Sequence, residues 1–349
     1  MRFNVAILGA GNIAEAMAKA LKGLGEEVSM YAVASRTLDK AAAFAKKWGF
    51  QKAYGSYEEL ADDEAVDLIY VATPHSEHFK NAKLCIERGR NCLVEKAFCA
   101  NKKQAEEIIS LAKEKKALLA EAMWTRYQPS KEVIKDCLGD LGKIHYLESD
   151  FSVPIIGVDR LYNPSLAGGA LLDLGIYSLT VPAMYLGTDI KKVQVSTVKT
   201  DTGVDATDVI MLTYQDGTMA RAKCSCVDDH SNYAKIVGDK GTMVFGPINA
   251  PEKVCIYDVE GNLIKKIDTP YRVNGYEYEV LACKEALQNG QTEAKDMPHS
   301  ETLRMMGWMD AIRNHVGIVY PFENAADIAL DDKDVWGVEN AFCDENITV

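Results

Sequence analysis

The chain opens on the run Val5-Ala6-Ile7-Leu8 and passes at once into Gly9-Ala10-Gly11-Asn12-Ile13-Ala14. Four aliphatic residues without alternation read as a strand buried on both faces. The residues that follow turn that strand into a helix. Gly9 permits the tight bend, Gly11 lets the backbone approach a pyrophosphate, and Ala14 is small enough to fit between helix and strand. The exposed amides at a helix N-terminus stabilise such an anion. A bare G-x-G-x-x-A string is a weak pattern. After a strand, at the head of a βαβ series, it becomes a dinucleotide-binding signature, with Gly9, Gly11, Asn12 and Ile13 as the cofactor-binding residues.

The series continues. Val28–Ala34, Leu68–Ala72, Cys92–Val94 and Leu118–Leu119 are further short apolar runs, and helical segments lie between them. Thr37 precedes an Ala-rich helix, while Ser56 with Glu59 and Asn101 with Gln104 read as capping boxes. Strands separated by helices pair in parallel through right-handed crossovers. The expected fold class is therefore α/β, with an N-terminal Rossmann doubly wound parallel sheet over residues 1–122.

Beyond Trp124 the pattern changes. A helix from Pro129 to Leu138, a strand from Ile144 to Phe151 and a bend at Gly168-Gly169 precede an apolar helix from Ala170 to Leu186. From Val193 to Ile267 strands follow one another directly, with hairpin signals at Gln215-Asp216-Gly217 and Asp239-Lys240-Gly241. Helices over Tyr276–Asn289 and Ser300–His315 come last. Residues 123–349 are expected to form a C-terminal α+β domain with a mostly antiparallel open sheet.

The 349 residues exceed what one core usually holds, so two domains are expected. The net charge of −12 disfavours a nucleic-acid partner, because phosphate backbones attract positive surfaces. Nine scattered cysteines read as buried free thiols in a reducing cytoplasm. No leader precedes the first strand and no 18-residue apolar run appears, so neither secretion nor a membrane partner is expected.

Several polar residues stand at strand ends, where ligands of open α/β sheets bind. Ser35 and Arg36 follow the second run, where NAD-preferring sites usually place Asp or Glu for the ribose 2′-hydroxyl. A guanidinium pairs with a 2′-phosphate instead, which favours NADP over NAD. Thr73, Pro74 and His78 form the loop after Leu68–Ala72 and should border the cofactor. His75 and His78 lack a carboxylate or cysteine cluster to complete a ligand set, so no metal is expected. Glu95-Lys96 ends another run; a buried ammonium is costly unless paired, so Lys96 is either a nicotinamide-side cation or half of a surface ion pair. Asp173 and Tyr177, four apart on an apolar helix, share a face. They are either a buried structural hydrogen bond or a proton-transfer pair. A neighbouring cation would lower the tyrosine's ordinarily high pKa.

These segments, with Glu121-Ala122-Met123-Trp124-Thr125-Arg126-Tyr127-Gln128-Pro129 and Gly168–Tyr177, resemble the Gfo/Idh/MocA oxidoreductase family, closest to its dimeric dihydrodiol dehydrogenase and glucose–fructose oxidoreductase branch. The resemblance implies a lysine at the nicotinamide and substrate oxygen (Lys96), a tyrosine as acid/base (Tyr177) and a helix acid that orients the set (Asp173). It implies a substrate pocket lined by Trp124 and Phe151, with Arg160 and Tyr162 as further substrate-binding candidates, and a homodimer or higher oligomer formed through the C-terminal sheet. The chain departs from the family at Ala97, where proline is usual; proline would stiffen the Lys96 loop. The expected activity is NADP-dependent hydride transfer with a carbonyl or carbinol of a sugar-like or trans-diol substrate. The alternatives are a non-catalytic cofactor-sensing regulator on the same fold and an enzyme that cleaves glycosidic bonds with tightly bound NAD.

Overall fold

A computed structural model describes residues 2–342 and divides into two compact units. The first takes the chain up to Tyr127 together with Tyr271–Leu303; the second takes Gln128–Pro270 and the residues from Arg304 onward. The expected single boundary between 122 and 123 is corrected on both counts. Residues 271–303 return to the first unit because their polar groups find partners there. Asn274 Nδ2 donates to Ala16 O at 2.8 Å, Lys284 Nζ donates to Glu27 O at 2.8 Å, and Leu119 N donates to Thr292 O at 3.0 Å.

The first unit alternates β1 (Phe3–Leu8), α1 (Asn12–Leu24), β2 (Val28–Ala34), α2 (Leu38–Trp48), β3 (Lys52–Tyr54), α3 (Tyr57–Asp62), β4 (Leu68–Val71), α4 (His75–Glu87), β5 (Cys92–Glu95), α5 (Lys102–Lys115) and β6 (Leu119–Ala122). The strands form one parallel sheet in the order β3-β2-β1-β4-β5-β6. This is the doubly wound order, which reverses at β1, so a crevice is expected outside the carboxyl ends of β1 and β4. Five of the six strands stand out in the sequence. The three-residue edge strand β3 does not, because none of its side chains is buried and no apolar run marks it.

Capping follows the local chemistry. Ser56 accepts from Glu59 N at 3.2 Å, and Asn101 accepts from Gln104 N at 3.0 Å. Thr37 holds the cap position of α2 without a side-chain cap bond.

The second unit contains α6 (Ser130–Cys137), β7 (Ile144–Ser152), α7 (Asp159–Tyr162) and a π-turn over Leu171–Gly175 that runs into α8 (Ile176–Tyr185). Then follow β8 (Ile190–Lys199), β9 (Asp205–Tyr214), β10 (Met219–Ser225), β11 (Ser231–Gly238), β12 (Gly241–Gly246), β13 (Lys253–Tyr257) and β14 (Leu263–Asp268). α9 (Glu277–Gln288) lies in the first unit, the unit boundary falls within α10 (His299–His315), and α11 (Asp332–Trp336) belongs to the second. The sheet order is β14-β13-β12-β11-β7-β10-β9-β8, antiparallel except between β7 and β10. Both hairpin signals join antiparallel neighbours, β9 with β10 and β11 with β12.

One face of this sheet carries the π-turn and α8. Ser149 Oγ donates to Ser178 O at 2.6 Å, and Ser178 Oγ donates to Lys223 O at 2.7 Å. Residues 164–185 are long and apolar enough to cross a membrane, yet 94% of their most apolar 18-residue window is buried within the protein. It is a core helix of its unit. The eight cysteines among the described residues are all free, and burial pushes the Cys226 thiol up to about 12.

Candidate active site

In the first unit the glycine turn is built by close contact. Gly9 has φ +106°, and a Cβ there would lie 2.7 Å from Ala72 O at the end of β4. Only glycine fits both the conformation and the space. Gly11 differs: a Cβ on it would meet nothing within 4 Å, so its smallness serves no packing need of the chain. It keeps open a cradle at the N-terminus of α1, where no side chain caps the first-turn amides. Unfilled amide donors at such a position suit a pyrophosphate. Ala14 is fully buried, as helix–strand packing requires.

Ser35 is buried at the end of β2, and its N–H donates to Tyr54 O at 3.2 Å. Arg36 is exposed on the rim of a cleft of about 470 Å³ that Tyr57, Phe79 and Asn81 also line. The turn after β4 is held by α4. Asn81 Nδ2 donates to Thr73 Oγ1 at 3.1 Å, and Pro74 occupies the cap position. His78 is buried with Nε2 2.7 Å from Thr73 O and Nδ1 2.8 Å from Ala97 O. Burial, helped by the Lys96 charge, pushes its pKa down to about 4. The neutral ring has one N–H and donates to one of these carbonyls at a time. His78 was expected at the cofactor; here both of its nitrogens are occupied by the protein, and it joins the Thr73 turn to the Lys96 loop.

Glu95 ends β5, buried. Tyr70 Oη donates to its Oε1, and Lys96 N donates to its Oε2 at 3.1 Å. Lys96 itself is partly exposed, and its peptide bond to Ala97 is cis. Trp124 stacks on Tyr276 with ring centroids 4.2 Å apart.

In the second unit Asp173 sits in the π-turn, buried, and pairs with Arg160 at 2.7 Å. Tyr177 is buried in the first turn of α8 with its ring 5.5 Å from that of Phe151. The expected regular helix over this segment is corrected to a π-turn followed by an α-helix. Such turns recur at functional sites. Its entry is fixed from below. Leu171 N donates to Asp205 Oδ2, Tyr320 Oη donates to Gly168 O at 2.8 Å, and a Cβ on Gly169 would lie 2.2 Å from Asp205 Oδ1. The Tyr162 hydroxyl donates to Asp201.

Sequence reading did not single out the buried Tyr70 and Glu279, or the half-buried Tyr276, around β4, β5 and α9. Glu279 had a signal, since it shares an apolar stripe with Cys283 and Ala286 at helical spacing. Both of its carboxylate oxygens are buried without a hydrogen-bond partner. Burial, then the charges of Glu95 and Glu277, push its pKa well up.

Residues 3–123 match an oxidoreductase family with an NAD-binding Rossmann fold (GFO_IDH_MocA), and residues 127–244 match the GFO/IDH/MocA C-terminal domain. A trans-1,2-dihydrobenzene-1,2-diol dehydrogenase of Danio rerio is 33% identical, over 90% of this chain and 97% of its own. The human protein of that name is 32% identical over 84% and 91%. A D-xylose 1-dehydrogenase (NADP(+)) of Hypocrea jecorina is 33% identical over 77% and 78%. The fold is shared with a 3-ketoreductase of Actinomadura kijaniata solved in complex with NADP, at TM-score 0.81 and 24% identity over 90% and 97%. Fold and cradle thus define an NAD(P)-dependent oxidoreductase. The chain belongs to the Gfo/Idh/MocA oxidoreductase family. Nothing in these relatives favours a non-catalytic regulator.

The raised pKa of Glu279 makes a prediction. Folded protein keeps this proton where the unfolded chain has lost it, so its contribution is complete below about pH 4.3 and declines as pH rises through the folded value. Glu279→Gln should flatten the fall in urea-unfolding free energy between mildly acidic and neutral pH. An unaltered slope would mean that Glu279 is ionised in the folded state.

Proposed function

We propose that this enzyme transfers a hydride reversibly between NADP(H) and the carbonyl or carbinol carbon of a polar, sugar-like or trans-diol substrate. The observation that carries the reading is the pairing, within one sheet, of an open glycine cradle on α1 with a lysine at the carboxyl end of β5. The dehydrogenases of diols and xylose among its relatives support the substrate class. Bound NADP(H) supplies the hydride donor or acceptor. The chain's residues hold it and manage the proton.

Gly9, Gly11, Asn12 and Ile13 would take the pyrophosphate, and the Thr73–Pro74 turn borders it. Arg36, with no carboxylate beside it at Ser35, would take the 2′-phosphate, which favours NADP. Lys96 would neutralise charge that develops on the substrate oxygen. Tyr177 would give the phenolic proton in reduction and take it back in oxidation. Asp173, ion-paired with Arg160, would keep the π-turn and Tyr177 in register, with Phe151 and Trp124 as apolar walls for the substrate. The second unit exposes Val198 and Met219 on its sheet and Val259, Leu263 and Ile264 around the turn from β13 to β14, which suits association with a second copy. Free thiols suit a reducing, cytoplasmic setting.

Three measurements test this. Trans-diols, aldoses and ketosugars assayed with both cofactors by nicotinamide absorbance should reveal a substrate, and Tyr177→Phe should then lower kcat at least about a hundredfold, or about 2.7 kcal/mol of barrier. Unchanged turnover would remove Tyr177 from the chemistry. Arg36→Ala should weaken NADPH binding about tenfold, with NADH binding altered less than about twofold; equal losses would argue against 2′-phosphate recognition. Light scattering should report a dimer, and Val259→Glu with Ile264→Glu should shift it to monomer. A monomeric wild type would refute the sheet-face contact.

A further inference from the structure

The family's proline is missing at Ala97, yet the Lys96 loop is held at successive residues by buried side chains. Lys96 N–H donates to Glu95 Oε2 at 3.1 Å, Ala97 O lies 2.8 Å from His78 Nδ1, and Phe98 N–H donates to Glu121 Oε1 at 3.2 Å. Ala97 and Phe98 are themselves buried. We infer that Glu121 is a positioning residue, whose carboxylate grips the Phe98 amide and so sets the place of the Lys96 ammonium. The inference rests on the reading of Lys96 given above.

Glu121 is well placed for this task. It lies on β6, next to β5 in the sheet, opposite Val94. Tyr127 Oη donates to its backbone carbonyl at 2.9 Å, the nearby Thr302 side chain favours its charged form, and its Oε2 is buried without a hydrogen-bond partner. A carboxylate that holds a backbone N–H is a stronger acceptor than a neutral one, by about twofold. The grip therefore depends on charge.

The groups that face Glu121 come from three elements. Glu95 on β5 opposes its ionisation. Arg126, paired with Glu301 at 3.2 Å, favours it, as does Thr302 on α10, while His299 at the start of α10 bonds the neighbouring Leu119 carbonyl at 2.8 Å. Burial outweighs the favourable contacts and carries the carboxyl up to about 7. The loop's hold on Phe98 should thus weaken as pH falls through neutrality.

The test uses the whole enzyme with NADPH and the best substrate of the panel. Glu121→Ala should lower kcat about ten- to a hundredfold while NADPH binding changes less than about threefold, since misplacement costs chemistry before affinity. Adding Ala97→Pro to that variant should restore most of the loss. The wild-type kcat profile should fall on the acid side of pH 7, and Glu121→Gln, which still accepts but cannot titrate, should lack that limb. Hydrogen exchange over residues 96–99, which needs no turnover, should quicken in Glu121→Ala. Exchange as slow as wild type, kcat within twofold, or the same acid limb in Glu121→Gln would each overturn the inference. Faster exchange together with full activity of Lys96→Met would instead leave the grip standing and refute the role given to Lys96.

Discussion

The contact between Gly9 and the Ala72 carbonyl constrains everything else at the site. A side chain on Gly9 would fall 2.7 Å from that oxygen, so the β1 turn and the end of β4 can meet only with glycine there. That approach brings the uncapped start of α1 to the carboxyl edge of the sheet, beside the Thr73–Pro74 turn. The Lys96 loop follows one strand further along. A dinucleotide stretched across this edge would meet backbone amides first and an ammonium last.

Both units solve the same problem in the same way. A segment that leaves regular structure under burial has backbone N–H groups to satisfy, and an unsatisfied one is costly. In the first unit, Glu95 and Glu121 take the amides of Lys96 and Phe98. In the second, Asp205 takes the amide of Leu171 where the π-turn begins. Buried carboxyls close to one another cannot all ionise. Burial and the Asp205 charge hold Asp208 well above the usual carboxylate range, as burial and Glu95 do for Glu279. Burial thus pushes the pKa of Glu121, Asp205, Asp208 and Glu279 upward alike.

Much of this was legible beforehand. Apolar runs buried on both faces, glycines at a strand end and turn residues between successive strands report local constraints, and those survive in any context. The doubly wound sheet, the antiparallel sheet and the apolar helix near Tyr177 all follow from such signals. Other features left little trace. β3 has three residues and no buried side chain. The π-turn over Leu171–Gly175 has the same apolar composition as an α-helix. The return of residues 271–303 to the first unit depends on long-range bonds such as Asn274 to Ala16.

The amino-acid order by itself determined the succession of elements, the glycine turn before α1 and the residue types at each strand end, because these arise from backbone conformation and short-range burial. Only tertiary structure decided what those residues touch. It took His78 for two carbonyls and Tyr162 for Asp201, gave Asp173 to Arg160, and placed Glu121 under a loop 23 residues earlier in the chain. Partner choice and charge state depend on which distant groups share a dry interior, and proximity along the chain does not specify that.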